Sequence, residues 1–255
     1  MNTSLKGKIA LVTGSNTGIG RAVAILLASH GAKVGITYLN HKDQGEETVA
    51  RIREAGGQAE LFRADVTDIR QIDDLVGAVE AAFGDTVDIL VNNAGHLVER
   101  RSNYDMSEEL YDQIMDVNFK STVFMCKRVL PGMKDKRAGR IVNMSSIAAH
   151  NGGGAGASIY AASKAAVSSY SKGLAKEVAG DGITVNVVSP GFIGQTAFHA
   201  TFTTDEARKA TVSGIPLKRE GTPEDVAGAV LYLVSDLAAY LTGETIEING
   251  GMFMC

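Results

Sequence analysis

Short, continuous apolar runs alternate with longer stretches of helical periodicity along the whole 255-residue chain, and this constrains its fold more than any other feature. The runs are Ile9–Thr13, Lys33–Tyr38, Ala59–Arg63, Ile89–Asn92, Arg140–Met144, Thr184–Val188 and Thr245–Ile248. Most are rich in Val and Ile and lack an in–out alternation, as expected of strands covered on both faces. Between the third and fourth runs, Ile69, Ile72, Leu75, Val76, Val79 and Phe83 recur at spacings of three and four, which predicts one buried helix face. Thr67 or Asp68 is placed to cap that helix. Gly31, Gly56-Gly57 and Gly84 fall just past helical stretches, where a C-cap calls for positive φ. Strand–helix alternation over seven strands predicts an α/β protein with a doubly wound, parallel, seven-stranded Rossmann-type sheet flanked by helices. No internal repeat, low-complexity tract or linker divides the chain, so residues 1–255 are expected to form a single domain. Gly152–Gly156 and Gly191–Pro216 are expected to be mobile surface segments.

Composition narrows the function classes. Twenty-five Lys and Arg against 29 Asp and Glu give a net charge of −4, so the basic excess usual in nucleic acid and anionic-lipid binders is missing. The longest apolar run, Ala22–Ala28, has seven residues, far short of the roughly 18 a membrane helix needs. The two cysteines, Cys126 and Cys255, form no C-x-x-C pair or disulfide framework, and no two of the five histidines have metal-ligand spacing. A soluble, cytoplasmic globular protein with no metal, membrane or nucleic acid partner is expected.

The first strand runs into Thr13-Gly14-Ser15-Asn16-Thr17-Gly18-Ile19-Gly20, and helical periodicity begins at once. Glycine serves where the backbone turns with positive φ, or where no side chain can separate it from a phosphate. The helix start then offers free N–H groups and the positive end of its dipole to a pyrophosphate. The G-x-x-x-G-x-G spacing is one residue wider than the common dinucleotide fingerprint. Its position after strand one places it where such folds bind ligands.

Three further stretches accompany this turn: Asn92-Asn93-Ala94-Gly95, Tyr160-x-x-x-Lys164 and Ser189-Pro190-Gly191. Together, in this order and over essentially the whole chain, they resemble the short-chain dehydrogenase/reductase family. The resemblance implies a nicotinamide cofactor and reversible hydride transfer between a carbonyl and an alcohol. It assigns Asn118, Ser146, Tyr160 and Lys164 as the catalytic set, with Asn118 helping a water relay protons and Lys164 also holding the nicotinamide ribose. It further implies cofactor contacts from Gly14 to Gly20, and at Tyr38, Asn40, His41, Asp65, Val66, Asn92, Ala94, Gly95, Pro190, Gly191, Ile193 and Thr196. Asp65 is expected to supply an acceptor to the adenine. Gln195 occupies the place near which the family often has a threonine for the carboxamide, so the backbone of Ile193 is preferred for that contact.

The chemistry has its own logic. Hydride addition to a carbonyl leaves charge on oxygen, and an acid must supply a proton at neutral pH. Tyrosine can do so, but its ordinary pKa near 10 is too high for the reverse direction. Lys164, four residues on, shares a helix face with Tyr160. A cation at about 4 Å would shift the phenol by about three pKa units at an effective dielectric near 20. Tyr160 is therefore expected to be the acid/base, Lys164 to lower its pKa, and Ser146 to hydrogen-bond the developing oxyanion.

At the end of strand two, an acidic residue would bind the ribose 2′-OH and a basic one a 2′-phosphate. Tyr38 and Leu39 stand there, and Thr17 is neutral as well. Asn40, His41 and Lys42 follow with donors and positive charge, so NADP(H) is favoured over NAD(H), although a solvated turn explains that stretch equally well. Gly191–Pro216 is expected to cover the substrate, with Phe192, Phe198 and Phe202 as apolar lining and His96 and His150 as candidate contacts. Similar family members include 3-oxoacyl-carrier-protein reductases and sugar dehydrogenases. Arg137 matches one basic carrier-docking position, but Asp181 occupies the other, which tilts the substrate toward a small polar ketone, alcohol or sugar. A non-catalytic dinucleotide sensor is the remote alternative. Family members mostly form tetramers through long helices, here around Phe119–Met133 and Tyr160–Val178, so a homotetramer is expected.

Overall fold

A computed structural model describes residues 2–195 and 204–254. Seven strands, β1 (Ile9–Val12), β2 (Lys33–Tyr38), β3 (Gln58–Arg63), β4 (Ile89–Asn92), β5 (Gly139–Met144), β6 (Ile183–Pro190) and β7 (Thr245–Ile248), form one sheet. Its order is β3-β2-β1-β4-β5-β6-β7 and every pairing is parallel. The chain runs outward from β1 to β3 and returns to β4 on the other side of β1. That reversal opens a crevice at the carboxyl ends of β1 and β4.

The pleat sends successive β1 residues to opposite faces. Ala10 and Val12 join Val23 and Leu27 of α1 (Gly18–Ser29) and Val226 and Val230 of α9 (Pro223–Val234). Ile9 and Leu11 join Ile72, Val76 and Val79 of α3 (Ile69–Phe83), Met125 and Val129 of α5 (Ser121–Lys136), and Leu174 of α7 (Ser158–Val178). Two apolar cores therefore sandwich the sheet in a single Rossmann-like domain. The remaining helices are α2 (Lys42–Glu54), α4 (Glu108–Met115), α6 (Ala148–Asn151) and α8 (Asp205–Gly214).

Strand edges differ from the sequence reading by one or two residues. β6 extends to Pro190 because β7 pairs beside it, Pro190 opposite Ile248. Asp68, not Thr67, caps α3: its carboxylate accepts from the Arg70 N–H at 2.9 Å. Of the paired glycines, Gly56 has φ +83°, whereas Gly57 lacks positive φ and is small for a packing reason. A Cβ there would stand 2.8 Å from Ile52 Cγ2.

Gly191–Pro216 is not wholly irregular. Ile193 bridges to Gly221, and α8 begins within the segment on a Thr204 side-chain cap. Thr196, Phe198 and Phe202 lie outside the described residues. Gly152–Gly156 is tied down, its Gly156 carbonyl accepting from the Arg101 N–H at 3.0 Å.

Candidate active site

The β1–α1 turn is held by bonds to β2 and to the β4 loop. Gly14 N–H donates to Thr37 Oγ1 at 2.8 Å, and Ser15 exchanges bonds with Thr37 through both its N–H and its hydroxyl. Asn93 donates from its amide to the carbonyls of Thr13 and Gly14 at 2.9 and 3.0 Å. Gly14 and Gly18 have φ of +60° and +55°. Gly20 serves a steric end: a Cβ would strike the Gly14 carbonyl and come within 2.5 Å of the Asn93 amide nitrogen.

Thr17 caps α1 without a side-chain hydrogen bond, and the first turn carries no acid. The opening N–H groups of α1 therefore keep their capacity for an anion beside a turn that admits close approach. This donor set fits the pyrophosphate of a dinucleotide.

Two adjoining cavities meet at Gly14. The smaller, of about 380 Å³, is walled by Tyr38, Leu39, Asp65, Val66, Ala94 and His96 among others. Asp65 Oδ1 accepts from the N–H and hydroxyl of Thr67 at 2.9 and 2.7 Å, which fixes the carboxylate at the rim. The larger, of about 540 Å³, is walled by Thr17, Gly18, Ile19, Gly95, Ser146, Tyr160, Lys164, Pro190, Gly191 and Ile193, with Arg100, Phe192 and Met252 further out.

Not every expected contact residue reaches these cavities. Ser15 is fully buried, and its hydroxyl donates to the Val12 carbonyl at 2.7 Å. Asn92 points into the sheet, where its amide donates to Asn143 Oδ1 at 2.8 Å. Half-buried Asn16 and exposed Asn40 and His41 lie outside both cavities, with Asn16 Nδ2 donating to the Asn40 carbonyl at 3.4 Å. Lys42 is held by Glu46 at 2.8 Å. His150 does not line the larger cavity. It bonds Glu247 at 2.8 Å and stacks on Phe253 with centroids 4.4 Å apart, fastening the tail that carries Met252.

The four catalytic candidates converge from three elements. Asn118 sits in a π-helical turn (Asp116–Lys120) between α4 and α5, a rare distortion often found at functional sites. Its amide bonds the carbonyls of His96 and Ile114 at 2.7 and 2.8 Å and accepts from the His96 N–H at 3.1 Å. A Cβ on Gly95 would lie 2.7 Å from Asn118 Oδ1 and 2.9 Å from Lys164 Nζ, so only glycine lets the two approach.

The two serines after β5 separate by partner. Ser145 is buried and donates to the Lys164 carbonyl at 2.9 Å, anchoring α7. Ser146 hydrogen-bonds the Tyr160 phenol. The loop between them and α6 is pinned by the Ile147 N–H, which donates to the Pro190 carbonyl at 3.0 Å.

Tyr160 departs from the sequence expectation. Burial pushes its phenol up to about 12, and the Ser146 hydrogen bond offsets this only in part. Lys164 lies beside the phenol ring. Its ammonium stands 5.8 Å from the phenol ring centroid and donates to the Met144 carbonyl at 3.0 Å. Four residues apart on α7, the two side chains share one face. Burial pushes Lys164 itself down to about 8.

Asn93, Arg100 and Met252 are among the site residues that escaped the sequence reading. Asn93 lies inside the Asn92–Gly95 motif, and its neighbours signal it. Arg100 and Met252 belong to no motif and enter the wall only through tertiary folding.

Residues 14–253 match a family model described as enoyl-(acyl carrier protein) reductase. The chain is 43% identical over 251 residues to the 3-oxoacyl-(acyl-carrier-protein) reductase FabG of Vibrio cholerae serotype O1, with 98% of this chain and 99% of that protein covered. Among solved structures it superposes on a putative short-chain alcohol dehydrogenase from Sinorhizobium meliloti 1021 with a TM-score of 0.92, at 34% identity and 98% coverage of both chains. It also superposes on an NADH-dependent reductase, A1-R′, responsible for alginate metabolism, with a TM-score of 0.91, at 34% identity and full coverage of both.

Proposed function

The chain belongs to the short-chain dehydrogenase/reductase family and is an oxidoreductase acting on CH–OH groups; from that premise we propose that it works as a carbonyl reductase on a small polar ketone, with NADP(H) preferred over NAD(H). The observation that carries the reading is that Ser146, Tyr160 and Lys164 line one cavity together with Gly14, Thr17 and Gly18 of the β1–α1 turn. A phenol held at about 12 keeps its proton at neutral pH, the form that reduction needs.

Tyr160 donates that proton to the carbonyl oxygen. Ser146, hydrogen-bonded to Tyr160, holds the same oxygen and stabilises the charge that develops on it. Lys164 supplies positive charge on the phenol's side of the cavity as the proton leaves. Asn118 fixes the β4 loop and Gly95, and so the cavity floor. When bound, a nicotinamide dinucleotide supplies the hydride. The β1–α1 turn would hold its pyrophosphate, and Tyr38, Asp65 and Val66 would line its adenosine end.

Support for NADP(H) is the absence of a carboxylate at the end of β2, where Tyr38 and Leu39 stand, with Lys42 nearby and Arg63 beside Tyr38 in register. The test is reduction of a ketone panel with each cofactor. A preference of tenfold or more for NADPH, about 1.4 kcal/mol, is expected; a preference for NADH, the cofactor of the structurally similar alginate-metabolism reductase, contradicts the choice.

A second reading, reduction of a 3-oxoacyl thioester on a carrier protein, is favoured by the 43% identical relative. Against it, Asp181 faces Lys134 at 3.9 Å and Arg137 donates to the Gly180 carbonyl at 2.8 Å, so the carrier-docking position presents mixed charge. Turnover of an acetoacetyl thioester well above that of small ketones would establish the second reading.

We also propose a cytoplasmic homotetramer. Among the described residues no helix is long and apolar enough to cross a membrane, and α7 presents the small residues Ala162 and Ser169 outward. Light scattering at a monomer mass would refute the assembly.

A further inference from the structure

We infer that Arg100 reads an anionic group, a carboxylate or a phosphate, on the carbonyl substrate. The inference rests on the carbonyl-reductase reading and deepens it. Arg100 follows β4 in the chain but reaches the far wall of the 540 Å³ cavity that Ser146 and Tyr160 also line. It lies against Gly152–Gly156, its Nη1 donating to the Ala155 carbonyl.

Three observations support recognition of an anion. First, among the described residues no Asp or Glu lines this cavity, so its charged residues are Arg100 and Lys164. Second, the acid next to Arg100 is already taken: Glu99 pairs with Arg101, and among the described residues Arg100 forms no ion pair. Its side chain is held through one nitrogen, Nη1, which donates to the Ala155 carbonyl at 3.0 Å. A guanidinium carries five N–H donors in a planar fork matched to carboxylate and phosphate oxygens, and most of that fork stays available.

Third, the glycine loop makes room for it. A Cβ on Gly154 would stand 3.3 Å from Arg100 Nη1, and one on Gly156, whose φ is +74°, would stand 2.9 Å from the Arg101 nitrogen. The Arg101 N–H bond to Gly156 then locks the arginine's own backbone against the loop. The Ala155 contact aims the fork, and Ala157, which lines the same cavity, lies three residues before Tyr160 along the chain. An anionic tail seated on Arg100 would therefore hold the substrate with its carbonyl toward Tyr160.

The test compares kcat/KM for a short keto acid and its methyl ester in the wild-type enzyme, Arg100→Met and Arg100→Lys. A second pair, a 3-oxoacyl thioester of phosphopantetheine and of dephosphorylated pantetheine, separates a carrier phosphate from a substrate carboxylate. Losing a charged hydrogen bond is expected to lower the anion-over-neutral ratio of one pair by about tenfold to a hundredfold in Arg100→Met. Arg100→Lys, which keeps the charge but not the fork, should fall between. Equal losses on both members of each pair, or a wild-type enzyme indifferent to the anion, overturn the inference while leaving the reductase reading intact. Turnover of none of the four would count against the reductase reading instead. Calorimetric binding of the keto acid to wild type and Arg100→Met would then still decide the arginine's role: weaker binding to the variant supports it, and equal binding refutes it.

Discussion

The two halves of the crevice are built on different plans. On the side of β1 and β2, the backbone makes the site. Gly14 and Gly18 turn with positive φ, Gly20 leaves no space for a Cβ, and the side chains of Ser15, Thr37 and Asn93 are used to hold that backbone still. On the far side, separate side chains make it: Arg100 from the loop after β4, Ser146 from the loop after β5, and Met252 from the C-terminal tail. The first half can accommodate a fixed ligand such as a dinucleotide, and the second can change its chemistry residue by residue without disturbing the turn. Tyr160 and Lys164, on α7, stand at the seam.

The sharpest way to break this division is at the seam itself. Lys164→Met should lower kcat by a hundredfold or more and also weaken dinucleotide binding if, as we propose, the ammonium serves both sides; steady-state kinetics beside a fluorescence titration would show it. Loss of only one would assign Lys164 to a single half. The same variant should be more stable than the wild type near neutral pH. Lys164 is buried with its pKa pushed down from 10.5 to about 8, so below pH 8 the fold carries the full cost of a desolvated charge. That cost is of order 3 kcal/mol and disappears as pH rises from 8 to 10.5. Melting curves across that range should therefore converge.

Gly20→Ala strikes the backbone half alone. Its methyl would meet the Gly14 carbonyl and the Asn93 amide, displacing the turn at a cost of about 1–3 kcal/mol. Dinucleotide affinity should fall by tenfold or more, while kcat at saturating cofactor falls far less. An equal drop in both would show that the halves are not separable.

The smallest expected effect is on pH dependence. Carbonyl reduction should be flat below pH 8 and decline above it as Lys164 loses its proton, because Tyr160 at about 12 stays protonated throughout. A reduction rate that stays flat through pH 8 would contradict a part for the ammonium in the step.

The same division governs what can be read from the amino acids. The sheet was legible because buried parallel strands demand unbroken apolar runs, and Lys33–Tyr38, Ile89–Asn92 and Thr245–Ile248 agree with the structure end to end. The glycine turn was legible because a steric requirement leaves few residue choices. Ser146 was named through the resemblance, and what separates it physically from its neighbour Ser145 is their partners, the Tyr160 phenol and the Lys164 carbonyl. Spacing alone did not show the burial: Tyr160 and Lys164 at i, i+4 suggested a lowered phenol, whereas burial raises it and the lysine donates to the Met144 carbonyl. Arg100 and Met252 left no trace in any motif, because what brings them together is the packing of the glycine loop and the tail.

The most direct test of the central claim is Tyr160→Phe, assayed for dinucleotide binding and ketone reduction in the same preparation. Removing one hydroxyl at the seam should leave cofactor affinity within about twofold and lower kcat by a hundredfold or more. Retained turnover would contradict Tyr160 as the proton donor, and a parallel loss of cofactor affinity would contradict the separation of the two halves.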